Sequence, residues 1–215
     1  MRMKSYARSA AKTRGYTAIE VLMALTIFAV GAAGIISMQR ASIQGNVDAR
    51  RLDVANGIAR EWIERIRRDA TLWTTATNLN QTKILNAYAN SAAFVLPLPP
   101  GNYCPTSPTG SNNNADGLCP AFDIFGRDLS VSDATYAAYC ANIRLDTVAL
   151  DPNNNPDLMR AEVRVYWPRQ LNAAPPTGFC TPSAMAAANG PDAANATDIY
   201  HFVYASTLVR RNPAP

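Results

Sequence analysis

The chain has one histidine, His201, and four cysteines with no Cys-x-x-Cys pair among them. That is too thin a supply for a structural zinc site, whose ligands come from clustered cysteines and histidines. No phosphate-binding glycine loop, dinucleotide fingerprint or catalytic motif occurs, and no serine or cysteine nucleophile has a recognisable setting around His201. His201 itself reads as a packed or edge residue of an apolar strand. No enzyme activity, metal or cofactor is expected on these grounds. Proline is missing before Pro97, so nothing forces a kink upstream of it, although Gly31, Gly34, Gly45 and Gly57 permit bending. Acidic residues are missing from the first fifteen positions, and charge of either sign is missing from Val21 to Gln39. There is no internal repeat.

The missing acids explain the overall basicity. The formal charge of +4 rests on 20 basic and 16 acidic side chains. Arg2, Lys4, Arg8, Lys12 and Arg14 supply five of the basic ones, and without them the balance is 15 to 16, or −1. The excess therefore marks topology, with the basic end held in the cytoplasm, rather than a nucleic-acid surface. The uncharged run of nineteen residues ends at Arg40. As a helix it would be roughly 29 Å long, about the thickness of a bilayer's hydrocarbon core.

An ordinary secretory signal would also begin basic and turn apolar, with a small-residue cleavage site after the apolar stretch. Ala32-Ala33-Gly34 offers one, but Ile35, Ile36 and Met38 carry the apolar run past it. A signal anchor fits the length. Neither reading explains Glu20 at the head of the run, since a lone charge costs about 2.5–3.5 kcal/mol at mid-bilayer and less near the interface. A cut between Gly15 and Tyr16 would supply a partner. The new α-amine would lie four residues before Glu20 on the same helical face. The carboxylate also favours the positive end of the helix dipole, which a bare amine opposes.

Gly15-Tyr16-Thr17-Ala18-Ile19-Glu20-Val21-Leu22-Met23-Ala24-Leu25 resembles the class III signal of type IV prepilins and type II secretion pseudopilins. The resemblance implies that a prepilin peptidase cuts after Gly15 and methylates Tyr16, where phenylalanine is commoner, and that Glu20 sets subunit register in a helical fibre. It implies three regions: a cleaved leader over 1–15, a transmembrane and assembly half of the first helix over 16–40, and a periplasmic domain over 41–215. It implies as partners the membrane lipid before assembly, an inner-membrane assembly platform, other minor pilins and the major pilin. Many major pilins carry a proline in the membrane half of this helix, and its absence here points to a minor subunit. The run Ala55–Arg68, with its Glu64-Arg65-Ile66-Arg67 phrase, is similar to minor pilins of the PilV type, and an amphipathic helix with solvated arginines accounts for it equally. The I-type minor pseudopilin of type II secretion is an alternative within the family. A tip adhesin, or a DNA receptor using Arg60, Arg65, Arg67 and Arg68, is another. Those arginines interleave with Glu61, Glu64 and Asp69, so nucleic acid is not an expected partner.

About 175 residues follow Arg40, enough for one domain with its own core. Leu52, Ala55, Ile58, Ala59, Trp62, Ile63 and Ile66 recur at three- and four-residue spacing. They predict a helix from Tyr16 to about Asp69, near 80 Å long, with Leu52, Ala55, Ala59, Trp62 and Ile66 against a sheet. A short second helix is expected around 81–89 and loops over 97–120, which hold six prolines and three glycines. Strands are expected over 141–148, 160–167 and 199–209, with a proline- and alanine-rich insertion over 168–197. The fold class predicted is α+β and pilin-like, a long helix on an antiparallel sheet with long disulfide-bonded loops.

Four cysteines in an exported chain favour two disulfides. Three connectivities are open for Cys104, Cys119, Cys140 and Cys180, and the preferred one pairs Cys104 with Cys119 and Cys140 with Cys180. The first of these would stabilise its loop by roughly 3 kcal/mol on the chain-entropy model. Asp151, Asn153, Asn155 and Asp157 alternate as in a calcium loop, with Glu162 eleven residues after Asp151. Pro156 stands where such a loop needs glycine, so a polar hairpin turn is the expected reading.

Overall fold

The computed structural model describes residues 17–89, 93–95, 120–129, 137–169, 180 and 190–212. The chain divides into two compact units, one ending at Asp48 and one starting at Ala49. Helix α1, Ala18–Ala70, runs through that boundary.

In the first unit α1 is exposed and, before Arg40, mostly apolar: Leu22, Leu25, Ile27, Phe28, Val30, Ile35 and Met38 all lie open. The segment is long and apolar enough to cross a membrane. Thr26 and Ser37, the hydroxyl residues inside the uncharged run, donate back to the carbonyls of Met23 and Gly34 at 2.8 Å. No hydroxyl there is left without an acceptor.

In the second unit α1 has one buried face, formed by Ala55, Ile58, Ala59, Trp62, Ile63 and Ile66. Leu52, expected on that face, is 46 % exposed. The face is set by the sheet's reach, and Leu52 lies one turn before Ala55, where it begins. The helix ends at Ala70, and Asp69 in its last turn caps the next one. The Asp69 carboxylate accepts from the backbone N–H groups of Lys83, Ile84 and Leu85 at 2.8, 2.8 and 2.9 Å. That satisfies the leading donors of α2, Ile84–Tyr88. A 3₁₀ turn, Ala76–Gln81, joins the two.

Four antiparallel strands follow: β1, Ala121–Phe122; β2, Tyr139–Leu150; β3, Pro156–Pro168; and β4, Tyr200–Arg210. Their order in the sheet is β1-β2-β3-β4. A short helix α3, Ala196–Ile199, leads into β4. The strands expected over 141–148, 160–167 and 199–209 are present and longer at most of their ends. Three sheet features lie beyond what the spacing predicts: the two-residue β1, a bridge between Val95 and Ile143 on the β1 side of β2, and a bridge between Phe122 and Asp128.

Alternation divides the sheet into two faces. Ala141, Ile143 and Leu145 of β2, Met159, Ala161, Val163 and Val165 of β3, and Val209 of β4 join the α1 face in the main core. Each large apolar side chain fully buried there contributes about 1.5–3 kcal/mol. The other face carries a second, smaller core of Ala121, Ala137, Cys140, Tyr166, Cys180, Ala196 and Tyr200.

The loop after β1 is tied to α1. Gly126 holds φ +80°, and a Cβ there would stand 3.1 Å from Val54. Asp123 fixes the turn by accepting from the N–H groups of Phe125 and Arg127 at 2.8 and 2.9 Å. Arg65, only 8 % exposed, reaches Asp128 at 2.6 Å and also Glu61. Its guanidinium lies over the rings of Trp62 and Phe122 at 5.1 and 5.9 Å. Burial pushes the Asp128 carboxyl above the usual range, against the pull of Arg65.

Cys140 and Cys180 form a disulfide, with Cα atoms 5.6 Å apart and a sequence separation of 40. Cys104 and Cys119 lie outside the described residues. Replacing Cys140 and Cys180 together by alanine should lower stability by about 4 kcal/mol on the chain-entropy model. Urea unfolding of the full chain, non-reducing, against the parent protein checks this.

Candidate functional site

The head of α1 carries the one acid of the apolar segment, and the local chemistry there is closed on itself. Thr17 precedes the helix and Glu20 lies in its first turn. The Glu20 Oε2 accepts from the Thr17 backbone N–H at 3.0 Å and from the Thr17 hydroxyl at 3.1 Å. In return the Glu20 N–H lies 3.4 Å from Thr17 Oγ1 and 3.1 Å from the Thr17 carbonyl. This is a capping box, in which threonine and glutamate three residues apart satisfy each other's free backbone donors. Thr17-Ala18-Ile19-Glu20 before an apolar run is its sequence signature, a role for Thr17 that the α-amine partner of Glu20 had hidden. Gly15 and Tyr16 lie outside the described residues. Glu20 thus has an intrachain role, whatever else it engages.

The alternating acid and asparagine residues after β2 form a turn. Asp151 Oδ1 accepts from the N–H groups of Asn153 and Asn155, each at 2.9 Å. Pro152 follows Asp151, the Asn154 N–H closes on the Asp151 carbonyl at 2.9 Å, and Asn154 takes φ 65°. Asparagine tolerates that left-handed conformation better than most residues, and proline suits the second turn position. Arg211, from the end of β4, places its guanidinium between the acids, at 3.1 Å from both Asp151 and Asp157. Glu162 is elsewhere, paired with Arg144 at 2.6 Å and Arg160 at 3.2 Å. The segment is a hairpin turn, as expected, and the Arg211 guanidinium lies between its two aspartates.

The arginines of the α1 run are not equivalent. Arg65 is buried in its ion pairs, so the four do not form one exposed basic surface. Arg67 bonds Glu64 at 2.8 Å and Thr207 at 3.1 Å. Arg68 Nε donates to the Glu64 carbonyl at 3.4 Å, and Arg60 is exposed. His201 stacks on Trp167, ring centres 5.3 Å apart, on β4.

The sheet face away from α1 holds charged and aromatic residues in positions that strand alternation assigns to solvent. Arg164 is 5 % exposed, paired with Asp192 at 2.7 Å, and lies 4.4 Å under the ring of Phe94. Tyr166 is fully buried, in edge contact with Tyr200. No signal in a strictly alternating strand separates a solvated polar row from one roofed by another segment. The row's aromatic content, Tyr166 opposite Phe202, is the available hint.

No family model, curated protein or solved structure matches this chain.

The hairpin turn makes a pH-dependent prediction. Backbone donation from Asn155, then Arg211 and Asn153, holds the Asp151 carboxyl below its ordinary 3.8. A depressed native value means the stabilisation is present above about pH 4 and is lost as pH falls through that lower value. Asp151→Asn should therefore be less stable than the parent at pH 7. The gap should close on acidification from pH 4 downward, read as urea midpoints across that range.

Proposed function

We propose that this chain is a minor type IV prepilin, most like the PilV type. It would be a non-enzymatic subunit processed after Gly15 and used in initiating a pilus or forming its tip. The observation that carries the reading is the acid in the first turn of an exposed apolar helix, five residues into a chain cut at Gly15–Tyr16. The basic leader supports it, as does the continuation of the same helix onto an antiparallel sheet. The Cys140–Cys180 disulfide suits an oxidising compartment such as the periplasm.

The capping box adds a step to that mechanism. Before assembly Glu20 is held by Thr17 within its own chain, which lowers the cost of carrying a carboxylate at the membrane interface. In the fibre the same carboxylate would turn to the Tyr16 amine of a neighbouring subunit, exchanging hydrogen bonds in which it alone is charged for one in which both partners are charged. The prepilin peptidase and the assembly platform would be the earlier partners. A minor pseudopilin of type II secretion shares all of this chemistry and differs in the machine it serves.

Intact mass and N-terminal sequencing of the membrane-extracted protein should show a chain beginning at N-methylated Tyr16 and lacking four hydrogens for two disulfides. A chain retaining Met1–Gly15 in cells with active prepilin peptidase would sink the proposal. Two variants separate capping from register. Thr17→Ala removes the hydroxyl half of the box at a cost of about 1 kcal/mol but keeps the carboxylate, and should still assemble. Glu20→Ala should insert and be processed but lose most fibre incorporation, scored by immunoblot of sheared fibres. Equal assembly of the two variants would reduce Glu20 to a helix cap.

A further inference from the structure

The outer face of the sheet is built in rungs across three strands. Asn142, Arg164 and Tyr204 share one, Arg144, Glu162 and Ser206 the next, and Asp146, Arg160 and Leu208 the third. Four of these residues form a closed ring of ion pairs. Arg144 binds Glu162 at 2.6 Å and Asp146 at 3.3 Å, and Arg160 binds Asp146 at 3.1 Å and Glu162 at 3.2 Å. Two positive and two negative charges cancel, and each of the four side chains is held by two partners.

Beside this ring lies a notch of about 220 Å³ lined by Phe94, Glu162, Tyr204, Ala205 and Ser206. Tyr204 is 63 % exposed and Phe94 tilts against it, ring centres 6.0 Å apart. Ser206 is exposed, and its hydroxyl makes no hydrogen bond among the described residues. The volume is below the 300–1,000 Å³ of pockets for drug-sized ligands, so it suits a single ring. The cancelled charge gives no attraction to a polyanion or a cation. An aromatic wall accepts a flat face of C–H groups, and a carboxylate fixed by two arginines accepts from neighbouring hydroxyls through charge-assisted bonds. Preorganisation by the ring of ion pairs keeps the ordering cost low.

We propose that this notch binds one pyranose ring of a neutral glycan, stacked on Tyr204 and hydrogen-bonded by Glu162 and Ser206. The site is independent of whether the chain assembles into a fibre.

The test uses the full chain in phosphatidylcholine nanodiscs, which avoids sugar-headed detergents, and saturation-transfer difference NMR. The probes are the methyl glycosides of galactose, glucose, mannose and N-acetylglucosamine, with sialyllactose as the anionic comparison. At least one neutral glycoside should receive saturation, with its affinity falling fivefold or more in Tyr204→Ala. Leu208→Ala, an equally exposed substitution two rungs along the same strand, should leave binding unchanged and controls for folding. Absence of signal from all four neutral probes would overturn the proposal. So would binding to sialyllactose alone, binding that Tyr204→Ala leaves intact, or equal loss in both variants.

Discussion

The inner face of β2, β3 and β4 is buried against the stripe from Ala55 to Ile66 on α1, with Trp73, Ile84 and Leu85 in the same core. A sheet of three long strands and one two-residue strand would leave Ile143, Leu145, Met159, Val163 and Val165 in water without it. The constraint also fixes chemistry elsewhere. Arg65 is taken into the pile beside Trp62 and Phe122, and Asp128 must follow to neutralise it. Burying that charge without a partner would cost several kcal/mol. The loop carrying Asp128 is thereby pinned to α1, and Gly126 is needed where it passes Val54. One packing contact thus determines an ion pair, a loop path and a glycine.

The same helix serves two environments. Up to Asp48 its side chains are almost all uncovered, and apolar for most of the run that ends at Arg40, whereas from Ala49 onward they are amphipathic and half covered. Glu20 and Thr17 begin the first part and Asp69 ends the second, each solving the exposed-terminus problem of a helix by a different device. Thr17 and Glu20 close the start upon itself. Asp69 instead passes its carboxylate to the start of α2, so the last turn of one helix builds the first turn of the next.

Periodicity alone makes much of this legible. The 3.6-residue spacing of Ala55, Ile58, Ala59, Trp62 and Ile66 and the two-residue spacing of Val163, Val165 and Trp167 locate the helix and a central strand, because those side chains face one partner along their length. Leu52 misleads, since spacing shows which face a residue is on and nothing about how far the partner extends. Arg164 and Tyr166 mislead for a related reason: they sit on the face that alternation assigns to solvent, and the roof over them comes from residues distant in sequence, Phe94, Asp192 and Cys180. The turn from Asp151 is legible in its own letters, but the arginine that lies between Asp151 and Asp157, Arg211, comes from the far end of the chain and no local pattern announces it. The capping box is written in four consecutive letters and is overshadowed by Glu20's other possible partner.

The strand order follows the chain order without a crossover, and this bears on how quickly the molecule reaches its form. β2 and β3 meet through a turn of five residues, Asp151 to Asn155, that is held by its own hydrogen bonds. Contacts that close over so short a stretch lose little chain entropy and form early, and sheets of such hairpins fold faster than those with distant pairings. The slow contact is the one between the Ala55–Ile66 stripe and β2, separated by more than seventy residues. A hairpin can therefore exist before its helix is in place, with its apolar inner face uncovered for that interval. The span in which this protein is most exposed to wrong partners is the delay between zipping β2 to β3 and seating them on α1.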